Sequence, residues 1–487
     1  MEPEYQSTQI PLYQEVANKV VEMIDAGTLP IGSRAPSVRS LAKQLKISVS
    51  TAVAAYRLLE DHGRLQPRPQ SGFYVRAAKR ENVEEPEMSQ PPETASDVTV
   101  GDLRLLLLTE FGQPGIIGLG ASSGAVSDWS IKTVHTLMNS ISRSQPLLSA
   151  SYPPPAGMAN LRRQVAKWYM RAGCKFTSDD IVITCGALEA IHLCLRAVTN
   201  PGDTVAIESP TYWGILQTIE MLGLKAIEIP THPRTGVSLD ALDVVLAQKL
   251  VKAVVLIPSA HNPLGCIMPE ENRKQLVGMI RKANVPLIED EIYADLVFES
   301  SRPRACRSYD EVPSASSMVM VCGGVSKSVA PSLRIGWCMP GKWVKEVTRA
   351  KAWLNIGSPT LPQLALAQFM EEGGYDRHLR KVTSIYRRQV ERMSDLIAEH
   401  FPPETRITRP QGGFLLWVEL PEQINSVKLH DLAIKNGISI CPGIVFSATG
   451  KYQNCIRINC GLLWTPAVEQ AIGTLGKMIK DMGSGVG

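Results

Sequence analysis

Aromatic residues make up only 6% of this 487-residue chain, and no stretch reaches the ~18 to 20 consecutive apolar residues that a membrane-spanning helix requires. The leucine run from Leu105 to Leu108 is far too short. The opening segment MEPEYQSTQIPLYQ carries acids where a leader would carry basic residues, and it lacks an apolar stretch before a small-residue cleavage site. The expected location is therefore the cytoplasm. Ten cysteines occur without a CxxC pair, and eight histidines without an HxxxH spacing. This pattern disfavours a disulfide frame or a zinc site, including one built on Cys455 and Cys460, and predicts reduced, mostly buried thiols with no metal centre.

What the chain does have is an uneven charge. The total of +4 is unremarkable, but residues 31–80 hold 10 Lys and Arg against 2 Asp and Glu. A local excess of that size is the footprint of a polyanion binder. Within IPLYQEVANKVVEMIDAG, helical spacing groups Leu12, Val16, Val20, Met23 and Ile24, with a glycine stop at Gly27. Ser37 is placed to cap a second helix, and Ser48 or Ser50 a third, STAVAAYRLLEDHG, that buries Val53, Tyr56 and Leu58 or Leu59. Two extended pieces, RLQPR and GFYVR, follow. Three helices and a hairpin in this order describe a winged helix-turn-helix.

From about residue 76 to 99 prolines, glutamates and serines replace apolar periodicity, which predicts an extended linker that cannot order itself. Beyond it, DIVIT, DTVAIES, KAIEIP, KAVVLIP, VPLIEDE and MVMVCGG alternate with helical patterns. That alternation predicts an α/β unit with a mainly parallel sheet, and the mixed tail after about residue 340 predicts a smaller α+β lobe. The expected boundaries are a head at 1–77, a linker at 78–112 and a body at 113–480, its large lobe at about 145–340.

Within the body, GGVSKSVAPSLRIGW sets Lys327 seven residues before Arg334, with Ser326 alongside. An amine held next to a hydroxyl and a fixed cation suits a phosphate-bearing aldehyde, so Lys327 is read as a pyridoxal-phosphate anchor. Without further motifs a lysine after a strand would more often be surface.

The head resembles the GntR-type winged helix-turn-helix through Leu-Pro-Ile-Gly-Ser-Arg, Pro36-Ser37-Val38-Arg39, Ala55-Tyr56, Gly63 and Ser71-Gly72-Phe73. The resemblance implies binding to double-stranded DNA by Arg34, Ser37 and Arg39, by Ser48, Ser50 and Thr51 at the start of the recognition helix, and by Arg68 and Gly72 in the wing. Val49 stands where this family often has arginine, and loss of that donor implies altered or weakened base readout.

The body resembles fold-type I pyridoxal-phosphate enzymes of the aspartate aminotransferase superfamily, on several motifs in the matching order. The resemblance implies that Tyr152 in SYPPPAGMANLR reaches the phosphate of a neighbouring subunit, and that Gly186, Ala187 and Leu188 cradle the phosphate. It places Tyr212 on the pyridine ring, Asn262 at the ring oxygen, and Asp290 and Tyr293 at the ring nitrogen and ring oxygen. Lys327 would form the Schiff base and act as general acid/base, with Ser326 and Arg334 on the phosphate. Arg457, with Asn262, would hold a substrate or effector carboxylate. Gly324 stands where the family often has a serine.

Head, linker and body together resemble the MocR subfamily of bacterial regulators, which implies a head-to-tail homodimer that senses an amino compound or the cofactor through an aldimine at Lys327. The alternative is a working aminotransferase with an accessory DNA-binding domain.

Overall fold

The computed structural model describes residues 11–25, 28–30, 33–61, 64–68, 72–75, 83–98, 101–110, 113–124, 128–299 and 301–484. It separates into two compact units, Met1–Val83 and Glu84–Gly487.

The first unit contains helices α1 (Leu12–Asp25), α2 (Val38–Leu45) and α3 (Val49–Asp61), then an antiparallel pair, β1 (Leu65–Arg68) and β2 (Gly72–Val75). Ser37 caps α2 by accepting a hydrogen bond from the Ser40 amide at 3.1 Å, and Ser48 caps α3 through the Thr51 amide at 3.0 Å. Lys46 turns the chain between them in the left-handed conformation, φ +53°. Tyr56 lies at the centre of the core with Val16, Ala17, Val20, Leu41 and Leu59, and its hydroxyl donates to the Pro36 carbonyl at 2.7 Å. The buried face of α1 differs from the expected one: Leu12 and Met23 are exposed and Ala17 packs inside. α3 buries Ala52 and Ala55 beside Tyr56, leaving Val53 only half-buried, because small residues let it approach its neighbours closely. The glycine stops at Gly27 and Gly63 lie outside the described residues.

The second unit is built on a large sheet. Beyond β3 (Ser96–Asp97) and helix α4 (Asp102–Glu110), its elements are β4 (Val182–Thr184), α5 (Ala187–Val198), β5 (Thr204–Ser209), α6 (Trp213–Met221), β6 (Lys225–His232), β7 (Ala253–Leu256), β8 (Leu287–Asp290), β9 (Val319–Gly324) and β10 (Gly336–Met339). The order across the sheet is β3-β6-β5-β7-β8-β9-β10-β4. The five strands from β6 to β9 run parallel, while β10 and β3 pair antiparallel. The parallel strands read as continuous Val, Ile and Leu because separate apolar clusters cover the two faces. Helix α7 (Gly374–His400) precedes the smaller lobe, an antiparallel sheet of β11 (Arg406–Ile407), β12 (Leu415–Glu419), β13 (Cys441–Pro442) and β14 (Cys455–Asn459) in the order β11-β12-β14-β13.

The stretch expected to be a linker is largely part of this unit. Glu84 accepts from the Ile407 amide, Glu85 pairs with Arg234 at 2.6 Å, Ser89 bonds the backbone of Ser209 and Thr231, and β3 extends the large sheet. Polar, proline-rich sequence orders here because its hydrogen bonds go to the body's backbone, which apolar periodicity does not report. We call residues 84–98 and 101–110 the strap. Of the ten cysteines, nine are buried and Cys185 is half-buried, all as free thiols. Among the described residues, no group of three or more His, Cys, Asp or Glu is placed to hold a metal ion, and no helix is long and apolar enough to cross a membrane.

Candidate functional site

The carboxyl ends of parallel strands are where open α/β sheets gather their ligands, and β8, with the loops after β4, β7 and β9, converges there on a cavity of about 170 Å3. Gly186, Ala187, Leu188, Tyr212, Asn262, Asp290, Tyr293, Ser326, Lys327 and Arg334 all line it, together with Ile191, Ile257, Ile292 and Pro331. These are ten of the eleven expected cofactor contacts. The eleventh, Tyr152, does not join them: it is 81% exposed in the loop after the short helix Pro146–Ala150.

Lys327 sits beyond the end of β9, where its ammonium donates to the Ser122 carbonyl at 2.6 Å and lies 3.1 Å from the Ser122 hydroxyl. Desolvation and the nearby Arg457 and Arg334 pull this amine down to about 8, against the attraction of Asp290. Asp290, at the end of β8, is buried and accepts from the Ile292 amide at 3.0 Å. Burial pushes its carboxyl up to about 7, Glu291 and Glu208 adding to the effect while the Ile292 amide and Lys327 oppose it.

At the phosphate end, Gly186 (φ +92°) starts α5 without any side-chain cap. A Cβ there would come 2.8 Å from Arg334 Nη2 and push that guanidinium aside, and the positive φ itself favours glycine at this turn. Arg334 adopts φ +51° and donates to the Cys185 carbonyl at 2.8 Å, which places its guanidinium over the start of α5. A helix start with an adjacent guanidinium is an anion site by both dipole and charge.

Arg457, fully buried on β14, donates to Asn262 Oδ1 at 3.3 Å and to the Gly120 carbonyl at 2.7 Å, with its guanidinium 5.1 Å from the Phe446 ring centre. Its Nε and the Tyr293 hydroxyl are buried without a hydrogen-bond partner. Buried polar atoms are normally satisfied; the Tyr293 hydroxyl belongs to the cavity that Gly186 shapes, while Arg457 lies outside its lining but near enough to act on Lys327, and the two unpaired atoms fit a group that brings its own acceptors. The residues present therefore suit pyridoxal phosphate with an attached carboxylate. Sequence reasoning missed Ser122 and the strap residue Arg104. Ser122 follows two glycines without a motif, and Arg104 is a lone cation in a leucine run.

A larger cleft of about 760 Å3 lies elsewhere, between α7 and the segment around Asp295–Arg302. Its cations already face carboxylates: Arg171 and Arg380 meet Asp376 at 2.5 and 2.6 Å, and Arg302 meets Asp295 at 3.1 Å and Glu291 at 2.9 Å.

In the head, Arg34, Arg39, Ser37, Ser48 and Ser50 are exposed and Thr51 half-buried. The Ser37 and Ser48 hydroxyls are committed to helix caps, and Ser48 also bonds the Ser50 and Thr51 hydroxyls at 2.8 and 2.7 Å. Gly72 (φ +93°) packs under the Arg34 guanidinium and pairs with Arg68 across the hairpin. The Arg68 side chain is outside the described residues. Val49 is 52% exposed at the start of α3.

Comparison with known proteins agrees with both halves. The family "Aminotransferase class I and II" matches residues 119–475, and "Bacterial regulatory proteins, gntR family" matches residues 12–75. The chain is 36% identical to the uncharacterized HTH-type transcriptional regulator YjiR of Escherichia coli, over 96% of this chain and 98% of that one. It is 32% identical to YdcR of the same organism, over 96% and 99%. The crystal structure of LysN, the alpha-aminoadipate aminotransferase of Thermus thermophilus complexed with N-(5'-phosphopyridoxyl)-L-leucine, superposes with a TM-score of 0.72 at 26% identity, covering 80% of this chain and 96% of that one. The chain thus belongs to the MocR-type transcriptional regulators, in which a gntR-family DNA-binding head is joined to a class I and II aminotransferase body.

Proposed function

We propose that this regulator binds pyridoxal phosphate at Lys327 and reads an amino compound there, in the cytoplasm, while its head holds operator DNA. The observation that carries this reading is the amine of Lys327, drawn down to about 8, in one cavity with the buried Asp290 and the Gly186–Arg334 cradle. When bound, pyridoxal phosphate supplies an aldehyde for an amine and a ring that withdraws electrons from Cα. Gly186, Ala187, Leu188, Ser326 and Arg334 hold its phosphate, and Tyr212 lies against the ring. Asp290 keeps a proton at the ring nitrogen, while Asn262 and Tyr293 donate to the ring oxygen. Lys327 holds or moves the proton at Cα, and Arg457 with Asn262 orients the incoming carboxylate.

Tyr152 is one of several exposed large apolar side chains on neighbouring segments of the body, with Leu147 at 84% exposure and Trp353 at 83%. The Ser151 carbonyl, which accepts from Thr360 at 2.8 Å, and Pro153, against which Gly357 packs, join these segments. Such exposure supports a homodimer in which Tyr152 reaches the partner's phosphate. In the head, Arg34, Arg39 and Arg68 contact phosphates or base edges, Gly72 keeps the wing close to the duplex, and the caps at Ser37 and Ser48, with Ser50 and Thr51, aim α2 and α3.

Borohydride treatment of the holo-protein followed by peptide mapping tests the reading: a pyridoxyl adduct is expected on Lys327, and its absence overturns it. Spectral titration with amino acids, with and without operator DNA, then measures the coupling, which is reciprocal. A second reading, slow transamination, is favoured by the completeness of Asp290, Tyr293, Lys327 and Arg457, and keto-acid product under turnover conditions identifies it.

A further inference from the structure

The strap ends at the ligand site. Arg104, on α4, is buried to 5% exposure, and its guanidinium donates twice to the Val445 carbonyl, at 3.1 and 2.7 Å, and once to the Ser447 carbonyl at 3.4 Å. Burial lowers this guanidinium to about 10, so it stays a cation at neutral pH. Between its two acceptors lies Phe446, fully buried, whose ring carries the Arg457 guanidinium and whose carbonyl accepts from the Thr211 amide at 3.0 Å, next to Tyr212. One turn on, Leu107 packs into the cluster of Trp213, Val445 and Phe446.

A second anchor closes on the same place. The buried Glu228 accepts from the hydroxyls of Ser209 (3.1 Å), Ser447 (3.2 Å) and Thr449 (3.1 Å) and from the Ala448 amide (3.3 Å). Four donors saturate an ionised carboxylate. Ser209 in turn receives the Ser89 hydroxyl on its carbonyl at 2.5 Å. Arg104 thus holds the loop 445–449 directly, and Ser89 is linked to it only through Ser209 and Glu228.

We infer that Arg104 is a positioning residue for ligand recognition: by holding the Val445 and Ser447 carbonyls it sets Phe446, and through Phe446 the Arg457 guanidinium, so that carboxylate binding and retention of the strap are one linked equilibrium. This rests on the reading of Arg457 as the carboxylate partner. These contacts touch the cofactor pocket only at its side, through Tyr212 and Asn262, and make no hydrogen bond to Lys327 or the Gly186–Arg334 cradle, so the link acts more strongly on a ligand carboxylate than on the cofactor. Because linkage is reciprocal, the ligand must hold α4 as α4 holds the ligand.

The test compares two probes on protein stripped of cofactor: pyridoxal phosphate, and N-(5'-phosphopyridoxyl)-L-leucine, which adds a carboxylate to the same ring. In Arg104→Ala, affinity for the conjugate is expected to fall about tenfold or more, the part of the lost contacts that couples to the carboxylate, with pyridoxal phosphate affinity falling no more than about threefold. Arg104→Lys, which keeps a donor for Val445, is expected to recover most of the loss. Should the variants fail to fold, hydrogen exchange on the unaltered protein serves instead: amides of residues 103–110 are expected to slow when the conjugate binds and to slow much less with pyridoxal phosphate. Equal loss of both probes in Arg104→Ala, no recovery in Arg104→Lys, or exchange in α4 indifferent to the conjugate would each overturn the inference. Failure of the unaltered protein to bind either probe would instead overturn the reading of the site itself.

Discussion

Two of the cavities among the body's described residues have opposite character. The larger, about 760 Å3, is lined by arginines that each face an acid, though Arg302 Nε makes no hydrogen bond, and the smaller, about 170 Å3, contains a depressed lysine, an elevated carboxyl and a hydroxyl without a partner. Size favours the first and chemistry the second. A cleft whose charges are already neutralised offers a ligand little beyond what water offers, whereas unmet polar groups in a small volume gain most when a complementary molecule arrives.

That contrast can be tested at both ends. Lys327→Ala should abolish borohydride-trapped labelling entirely, as measured by mass spectrometry. Asp290→Asn should stabilise the cofactor-free protein at pH 8 by on the order of 3 kcal/mol and weaken cofactor binding. The sign follows from the Asp290 carboxyl standing at about 7 in the fold and about 3.9 unfolded. Between those values the folded chain keeps a proton that the unfolded chain has released, so its stability falls as pH rises from about 4 to about 7. Denaturant titrations at pH 4 and pH 8 should show the variant gaining only at the higher pH.

With the Lys327 amine near 8, the initial rate of its reaction with pyridoxal phosphate should climb roughly tenfold per pH unit up to pH 8 and level off above 9. A stopped-flow pH profile rising towards pH 10 would mean the lysine is ordinary. Tyr293→Phe should cost cofactor affinity roughly fivefold, the worth of one hydrogen bond of about 1 kcal/mol, without destabilising the cofactor-free fold, since its hydroxyl has no partner there to lose. In the larger cleft, Arg380→Ala should change stability by less than about 0.5 kcal/mol and leave cofactor affinity unchanged, as an exposed pair within one helix predicts.

Legibility in the sequence divides along similar lines. The helix-turn-helix was readable because caps at Ser37 and Ser48 and the apolar spacing of α3 are local signals. The strands from DTVAIES to MVMVCGG were readable because burial on both faces leaves an unbroken apolar run. Ten residues expected to contact a cofactor line one cavity because their motifs sit at strand ends, which topology brings to one edge. Tyr152 stands apart because the loop after the helix Pro146–Ala150 leaves it exposed. The strap escaped because Ser89 and Arg104 bond to backbone carbonyls, and a carbonyl leaves no trace in residue identity. On α1, equal spacing made Leu12 look equivalent to Val16, although only the three-dimensional neighbours decide which is covered.

Glu228 also bears on the order of assembly. The groups it gathers come from Ser209, Ser447, Ala448 and Thr449, and through Ser209 from Ser89, so the knot closes only after nearly the whole chain has been synthesised. The head, whose core residues all precede residue 76, emerges first. Pairings of such wide sequence separation form late. During translation a newly made regulator therefore carries its DNA reader before the strap can be secured.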